Sequence, residues 1–370
     1  MQRIEFLHPA GYATAFYPFS ETRPAEALLW GGRTLGEQWE ERLHELGSEG
    51  HWRVNPLWVP SAATQALAGQ LDAGRGWAVA GAPLVDRVDP ARTTEWGELP
   101  GGTDLLQHPT DLFLRCGEAV AEDAERVARA WGAQPRIWPA HVTLLGDAGQ
   151  IMAAPTAQAR ACSLNTEAGP IVLGPGVDIQ EGAHLRGPLI IGPGTVVKMG
   201  TRLSGPSAIG PECRIGGELS NVVLHGYSNK GHDGFLGNSV LGSWCNLGAD
   251  TNSSNLKSNY SPVRLWSAER QDFVDSGLQF CGLLMGDHAK SGINTMFNTG
   301  TTVGTGAQVF GPGFPPKHIP AFSWGGAEGF VPYELPRFLD TARAVMARRG
   351  VSLTAENEAQ LAALHAAVHG

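Results

Sequence analysis

IVLGPGVDIQEGAHLRGPLIIGPGTVVKMGTRLSGPSAIGPECRI, residues 171–215, decides how this chain folds. Leu173, Ile179, Leu185, Ile191, Val197, Leu203, Ile209 and Ile215 recur at every sixth position through it. With 42% hydrophobic residues overall, chance would fill eight such positions about once in a thousand trials. Between the aliphatics sit turn residues: Gly174-Pro175-Gly176, Glu181-Gly182, Gly187-Pro188, Pro193-Gly194, Met199-Gly200, Gly205-Pro206 and Gly216-Gly217. A short strand followed by a Gly or Pro corner every six residues suits neither an α-helix nor a hairpin meander. It predicts a parallel β-helix with three six-residue sides per coil. Each coil would stack on the last at roughly 4.8 Å, its aliphatics inside the prism and its backbone satisfied by its neighbours.

Hexapeptide repeats of this type resemble the left-handed β-helix of the hexapeptide acyltransferases, and the left hand is implied by that resemblance alone. From Asn221 the regularity relaxes. Leu236-Gly237, Leu241-Gly242 and Leu247-Gly248 continue it, Thr251 to Gln279 interrupts it as a polar insertion, and Met285-Gly286, Ile293, Val303-Gly304 and Val309 resume it. An insertion in a solenoid maps to a loop on one face, commonly the binding face. The expected organisation is an α/β domain over 1–160, a β-helix over 161–331 with an insertion at about 251–279, and helices over 332–370.

The first 160 residues have a different texture, with eight of the eleven Trp and no six-residue period. Arg3 to Leu7 and Gly76 to Ala80 read as strands, Pro24 to Leu46 as largely helix, and Ala119 to Trp131 as helix. The segment FSETRPAEALLWGGRTLGEQWE (Phe19 to Glu40) resembles the start of a sugar-phosphate nucleotidyltransferase-like domain, with a Thr-Arg-Pro turn leading into a helix. The Gly-rich loop that would cradle nucleotide phosphates is missing. The domain therefore reads as a degenerate nucleotidyltransferase-like unit. The tail divides at Gly350 into two helices, the second capped by Thr354. It is expected to cover the open end of the prism or a neighbouring subunit.

A chain of 370 residues with 17% charged residues has an ordinary soluble balance. Its net charge of -9 argues against a nucleic-acid partner, since no basic stripe is available to neutralise phosphates. The five cysteines are widely spaced, without a C-x-x-C pair or Cys/His cluster, which predicts small core residues in a reduced, cytoplasmic setting and no metal site. The N-terminus, MQRIEFLHPAGYATAFYPF, lacks a basic region followed by a long apolar run, so neither a secretory signal nor a membrane span is expected.

Chemistry concentrates in HGYSNKGHDGFLGNSVLGSWCNLGADTNSSNLKSNY, residues 225–260, dense in Asn, Lys and His where a structural coil would want aliphatics. Gly231-His232-Asp233-Gly234-Phe235-Leu236-Gly237 followed by Asn246-Leu247-Gly248-Ala249 resembles the acetyltransferase domain of the bifunctional N-acetylglucosamine-1-phosphate uridyltransferases, over residues 170 to 330. The resemblance implies acetyl transfer from acetyl-CoA to an amino group on a sugar phosphate or sugar nucleotide, in a homotrimer. It assigns His232 as general base, Glu218 to orient the imidazole, Asn255 near the reacting centre and the Ala249 N–H as oxyanion donor. Asn246 and Phe235 fall on sugar-contacting positions, Phe235 replacing a Tyr. Two of the family's phosphate-holding Lys positions read Ser220 and Ser261; Lys198, Arg202, Lys230 and Lys257 lie nearby as substitutes. Gly292, Ile293 and Asn294 are candidates for coenzyme A contact. His288 with Asp287 and Lys290 forms a second polar cluster, read first as a corner turn.

Two alternatives stand beside this reading. Nucleotidyl transfer by the N-terminal half would require Mg²⁺ and release pyrophosphate. A non-catalytic sugar-nucleotide-binding solenoid would bind without turnover.

Overall fold

The computed structural model describes residues 3–47, 50–99 and 104–370. The six-residue period builds a left-handed parallel β-helix of triangular section. Within one coil the chain runs from Ile171–Leu173 to Asp178–Ile179 to His184–Arg186, then starts the next coil at Leu189–Ile191. We call the faces carrying Asp178–Ile179, His184–Arg186 and Ile171–Leu173 the first, second and third. Ile171 pairs with Leu189 and Leu189 with Ser207, one 18-residue coil apart. All eight periodic aliphatics lie inside the prism, none more than 2% exposed. Burying one such side chain contributes about 1.5–3 kcal/mol.

The period fades after Ile215 because the corners shorten, while the solenoid continues. Arg214 pairs with Asn229, 15 residues on, and Asn229 with Asn246, 17 on. A single strand, Glu218–Gly226, runs through the second and third faces, bending at Asn221 with φ 54°. The solenoid also starts earlier than the period suggested. Thr143–Leu145 pairs with Ser163–Asn165, and Ile151–Ala153 with Ile171–Leu173. These first coils place Ala153, Ala157 and Ala159 inside, which hides the aliphatic pattern. The polar excursion leaves after Asn255 rather than at Thr251, because Asn252–Ser253 is still a strand of the second face. Cys281 N–H donates to the Asn255 carbonyl at 2.9 Å, closing a loop that carries the hairpin Arg264–Ser267 with Asp272–Asp275.

The third face is apolar on both sides. Its outward residues Val172, Ile190, Ala208, Val223, Val240 and Leu284 are buried in a cluster with Trp30, Leu112, Phe113, Val120 and Val127. The helices Thr110–Leu114 and Cys116–Ala130 lie against this face. Beyond them, Arg3–Phe6, His51–Val54, Ala82–Val88, Arg75–Val79 and Glu95–Glu98 form a five-stranded sheet in that order over Trp39, Trp52 and Trp58. Two of its four pairings are antiparallel, unlike the mostly parallel sheet of a doubly wound nucleotide-binding domain.

The expected helix over Pro24 to Leu46 is shorter than its reading. Gly31, at φ 66°, turns the hairpin Leu29–Trp30 with Arg33–Thr34, and the helix begins only at Leu35, with Thr34 and Glu37 forming a capping box. At the other end, Ser323–Gly326 and Gly329–Pro332 close the last coil as an antiparallel pair. The tail helices Leu335–Ala347 and Ala355–His369 fold back from there. Among the described residues no helix is long and apolar enough to cross a membrane.

Candidate active site

His232 sits on the edge where the first face turns into the second. The register of Asn229 with Asn246 and of Asn246 with Lys290 stacks the corner 231–234 beneath 248–251, and that beneath 292–295. Ala249 therefore lies one coil from His232 and Ile293 one coil further, about 4.8 Å per step. Three segments that sequence reading treated separately thus share one column. The N–H of Ala249 donates to no other described residue, while its carbonyl accepts from Asn294 N–H at 2.8 Å. Gly292 N–H is used in the ladder, donating to the Val309 carbonyl at 2.7 Å. Ile293 is 71% exposed, and Met199 and Phe310 add apolar surface along the same edge.

The His232 corner differs from its neighbours. In the regular coils of this edge the third corner residue donates to the second corner residue one coil below, as Gly200 does to Glu181 and Asn294 to Ala249; here Asp250 N–H reaches the Asp233 carbonyl instead, at 3.1 Å. The His232 carbonyl is taken by Lys230. This lysine occupies the inward position in register with Ile215 and is fully buried, so it does not face substrate as expected. Its ammonium donates to the carbonyls of His232 at 2.6 Å and Asp233 at 3.0 Å. Burial pulls its pKa down to about 8, the nearby Asp233 and Asp250 carboxylates opposing. Gly234 completes the distortion at φ 112°, where a Cβ would collide with the Thr251 carbonyl.

The imidazole of His232 is exposed and makes no hydrogen bond within the described residues. Glu218 does not orient it. Strand register places Glu218 beside Arg202 and Phe235 on the second face, and its carboxylate pairs with Arg202 at 3.5 Å. Asn255 belongs to a ladder on a different edge, between the second and third faces. It donates to Asn238 Oδ1 at 2.7 Å, and Asn238 to the Asn221 amide oxygen at 2.9 Å. Lys257 is committed to the excursion, donating to the Pro262 carbonyl and to Ser261. Of the expected substrate contacts, Asn246 and Lys198 share a cleft of about 390 Å³ with His232, whereas Phe235 and Arg202 lie round the edge on the second face. Arg348 and Arg349, from the end of the first tail helix, complete that cleft. Sequence reading missed them, because nothing in the helical period says which face of the prism the helix end reaches.

The Asp287–His288 corner is more than a turn. Asp287 is the socket for the Thr-Arg-Pro segment: Arg23 Nη2 donates to it at 2.9 Å, Thr22 Oγ1 at 2.8 Å and Ser243 N–H at 2.7 Å. Burial would raise the Asp287 carboxyl, yet Arg23 and these hydrogen bonds hold it below its ordinary value. Glu21 accepts from Thr305 N–H at 2.7 Å, its pKa pushed up to about 7 by burial. Arg23 is thus consumed by the clasp, which removes the cation that a phosphate-binding Thr-Arg-Pro loop would need. The five cysteines are free and buried, and burial raises Cys116, Cys213, Cys245 and Cys281 to about 12.

No family model matches the chain. Two curated proteins do over a short stretch, both named bifunctional protein GlmU. The one from Methanocaldococcus jannaschii is 32% identical over 78 residues, covering 21% of this chain and 18% of that protein. The one from Methanococcus aeolicus is 28% identical over 92 residues, 25% of this chain and 22% of that protein. The chain therefore matches about a fifth of the length of these relatives. Among solved structures, a mutant of AntD, an N-acyltransferase from Bacillus cereus in complex with dTDP and coenzyme A, is 12% identical and covers 56% of this chain and 91% of that one. Its TM-score is 0.24. The six-residue period, the three-faced solenoid and the two curated matches together fit a hexapeptide-repeat acyltransferase.

Proposed function

We propose that the solenoid transfers an acetyl group from acetyl-CoA to the amino group of a sugar phosphate or sugar nucleotide, at the edge that carries His232. The observation that carries this reading is a convergence at one edge: an unengaged imidazole, the unpaired N–H of Ala249 one coil away, and a cationic cleft beside both. In the proposed step the amine nitrogen attacks the thioester carbonyl carbon while His232 accepts the amine proton. The N–C bond forms, the C–S bond breaks, and the thiolate leaves to take up a proton. The Ala249 N–H stabilises the oxyanion of the tetrahedral intermediate. An imidazole suits this step because it can take up and release a proton near neutral pH.

Among the described residues no carboxylate orients the imidazole, and the same edge exposes Met199 and Ile293. Both features fit a homotrimer in which a second prism covers this edge, and the five buried free cysteines fit a reducing, cytoplasmic setting. The test is thiol release from acetyl-CoA across a panel of amino-sugar phosphates and sugar nucleotides, with the product's mass measured. Amine-dependent release with an acetyl group added to nitrogen is expected. Release no faster than thioester hydrolysis with every acceptor would sink the reading.

A further inference from the structure

The cleft beside His232 gathers positive charge in a chain of net charge -9. Lys198, Arg214, Arg348 and Arg349 line it, and Asn229 and Asn246 supply its amides. Lys198 and Arg348 have no ion-pair partner among the described residues, and Glu212, 3.3 Å from Arg214, is the one carboxylate paired with any of the four. Arg349 gives an N–H to Asn229 Oδ1 at 3.2 Å, while its Nε is buried without a partner. Burial and the like charges of Arg214 and Arg348 push its guanidinium below the usual range, with Glu212 offsetting part of this. Three arginines crowded around one acid leave a surplus that an anion would relieve. An adjoining cleft of about 290 Å³ shares Asn229, Asn246, Arg348 and Arg349, and is bounded by Lys290 and the stacked rings of Tyr227 and Trp244 at 4.3 Å.

Sequence reading found serines, Ser220 and Ser261, where the resembled family holds phosphate with lysines. The structure shows where cations stand instead: round the edge, on the first face, two of them brought back by the tail.

We propose that this cleft binds the phosphate group of a reaction ligand, with Arg348 and Arg349 as its principal contacts. The ligand's identity rests on the acyl-transfer reading; the anion site itself rests on the cleft. Two ligands of that reaction carry the required chemistry, the 3′-phosphoadenosine end of coenzyme A and the phosphate of an amino sugar.

Calorimetric titration of the full chain with adenosine 3′,5′-bisphosphate and, separately, with glucosamine 1-phosphate distinguishes them. The variants are the double substitution Arg348→Gln/Arg349→Gln and, as control, Arg343→Gln, whose guanidinium faces Glu358 at 2.7 Å and Asp340 at 3.0 Å. At least one ligand is expected to bind wild type, and the double variant to weaken it on the order of a hundredfold, with the control unchanged and binding weaker at high salt. The ligand that loses affinity is the one the cleft holds. If neither binds wild type, or the double variant binds both as tightly, the proposal is overturned. Phosphate binding lost in the double variant, in a protein that releases no thiol, would keep the anion site and remove acyl transfer. Turnover whose kcat/KM ignores the double substitution would do the reverse.

Discussion

The edge between the third and first faces and the edge between the first and second are built mostly from four-residue corners, yet the chain seals one and leaves the other open. On the sealed edge the segment around Glu21, Thr22 and Arg23 lies along four successive corners. It stacks Phe19 on His225 at 5.5 Å and pairs Arg23 with Asp287, Thr22 with Asp287, and Glu21 with the Thr305 N–H. Burial there lowers His225 to a pKa of about 3 and His288 to about 4, leaving both imidazoles neutral and locked away. On the open edge His232 and the N–H of Ala249 have no hydrogen-bond partner among the described residues, and apolar side chains face outward. The histidines of the two edges thus differ in what covers them: His225 and His288 are buried, whereas His232 is left accessible to a ligand.

The largest expected effect breaks the sealed edge. Arg23→Met leaves the buried Asp287 carboxylate without its cation, which costs about 3–5 kcal/mol in chemical denaturation. A loss below about 1 kcal/mol would mean that this pair does not seal the edge. Next is pH. Glu21 holds its proton up to about 7 when folded, against an ordinary 4.5, so the folded chain binds more protons across that window. Its contribution to stability is full below 4.5 and is lost as pH rises through 7. His225 and His288 act in the opposite sense, so the informative quantity is the difference between wild type and Glu21→Gln. That difference is expected to change by on the order of 2–3 kcal/mol between pH 4.5 and 7; an unchanged difference would contradict the burial of Glu21.

Smaller effects sharpen the open edge. Lys230 is depressed to about 8 from 10.5 by burial, so wild-type stability gains from this residue as pH rises from 8 to 10.5. Lys230→Met is expected to flatten that rise and, by releasing the His232 carbonyl, to lower turnover on the order of tenfold. Asn255→Ala removes one rung of an amide ladder and costs about 1 kcal/mol of stability, with turnover unchanged. A large fall in turnover at normal stability would return Asn255 to the reacting centre.

The prism was legible in sequence because its interior repeats at a fixed interval, and the third face could have been read further. Triplets such as Ile171-Val172-Leu173 and Leu189-Ile190-Ile191 put a hydrophobe outward as well as inward, the signature of a strand buried on both sides. The column of His232, Ala249 and Ile293 was partly legible, since register carries the corners into line. Glu218, matched to a motif, and Lys230, named for its nearness along the chain, misled because neither reading considers which way a strand residue points. Glu218 lies on the outside with Arg202, and Lys230 lies within the prism. The Arg23–Asp287 clasp spans 264 positions of sequence, and the return of Arg349 to Asn229 spans 120. Neither has a local pattern.

The most direct test compares acetyl-CoA-dependent thiol release by wild type and His232→Ala, with thermal unfolding of both in parallel. The substitution is expected to lower turnover by about 10²–10⁴-fold while the melting temperature holds, because the ring makes no hydrogen bond within the described residues. Turnover within a few-fold of wild type would contradict it and leave the open edge without its base.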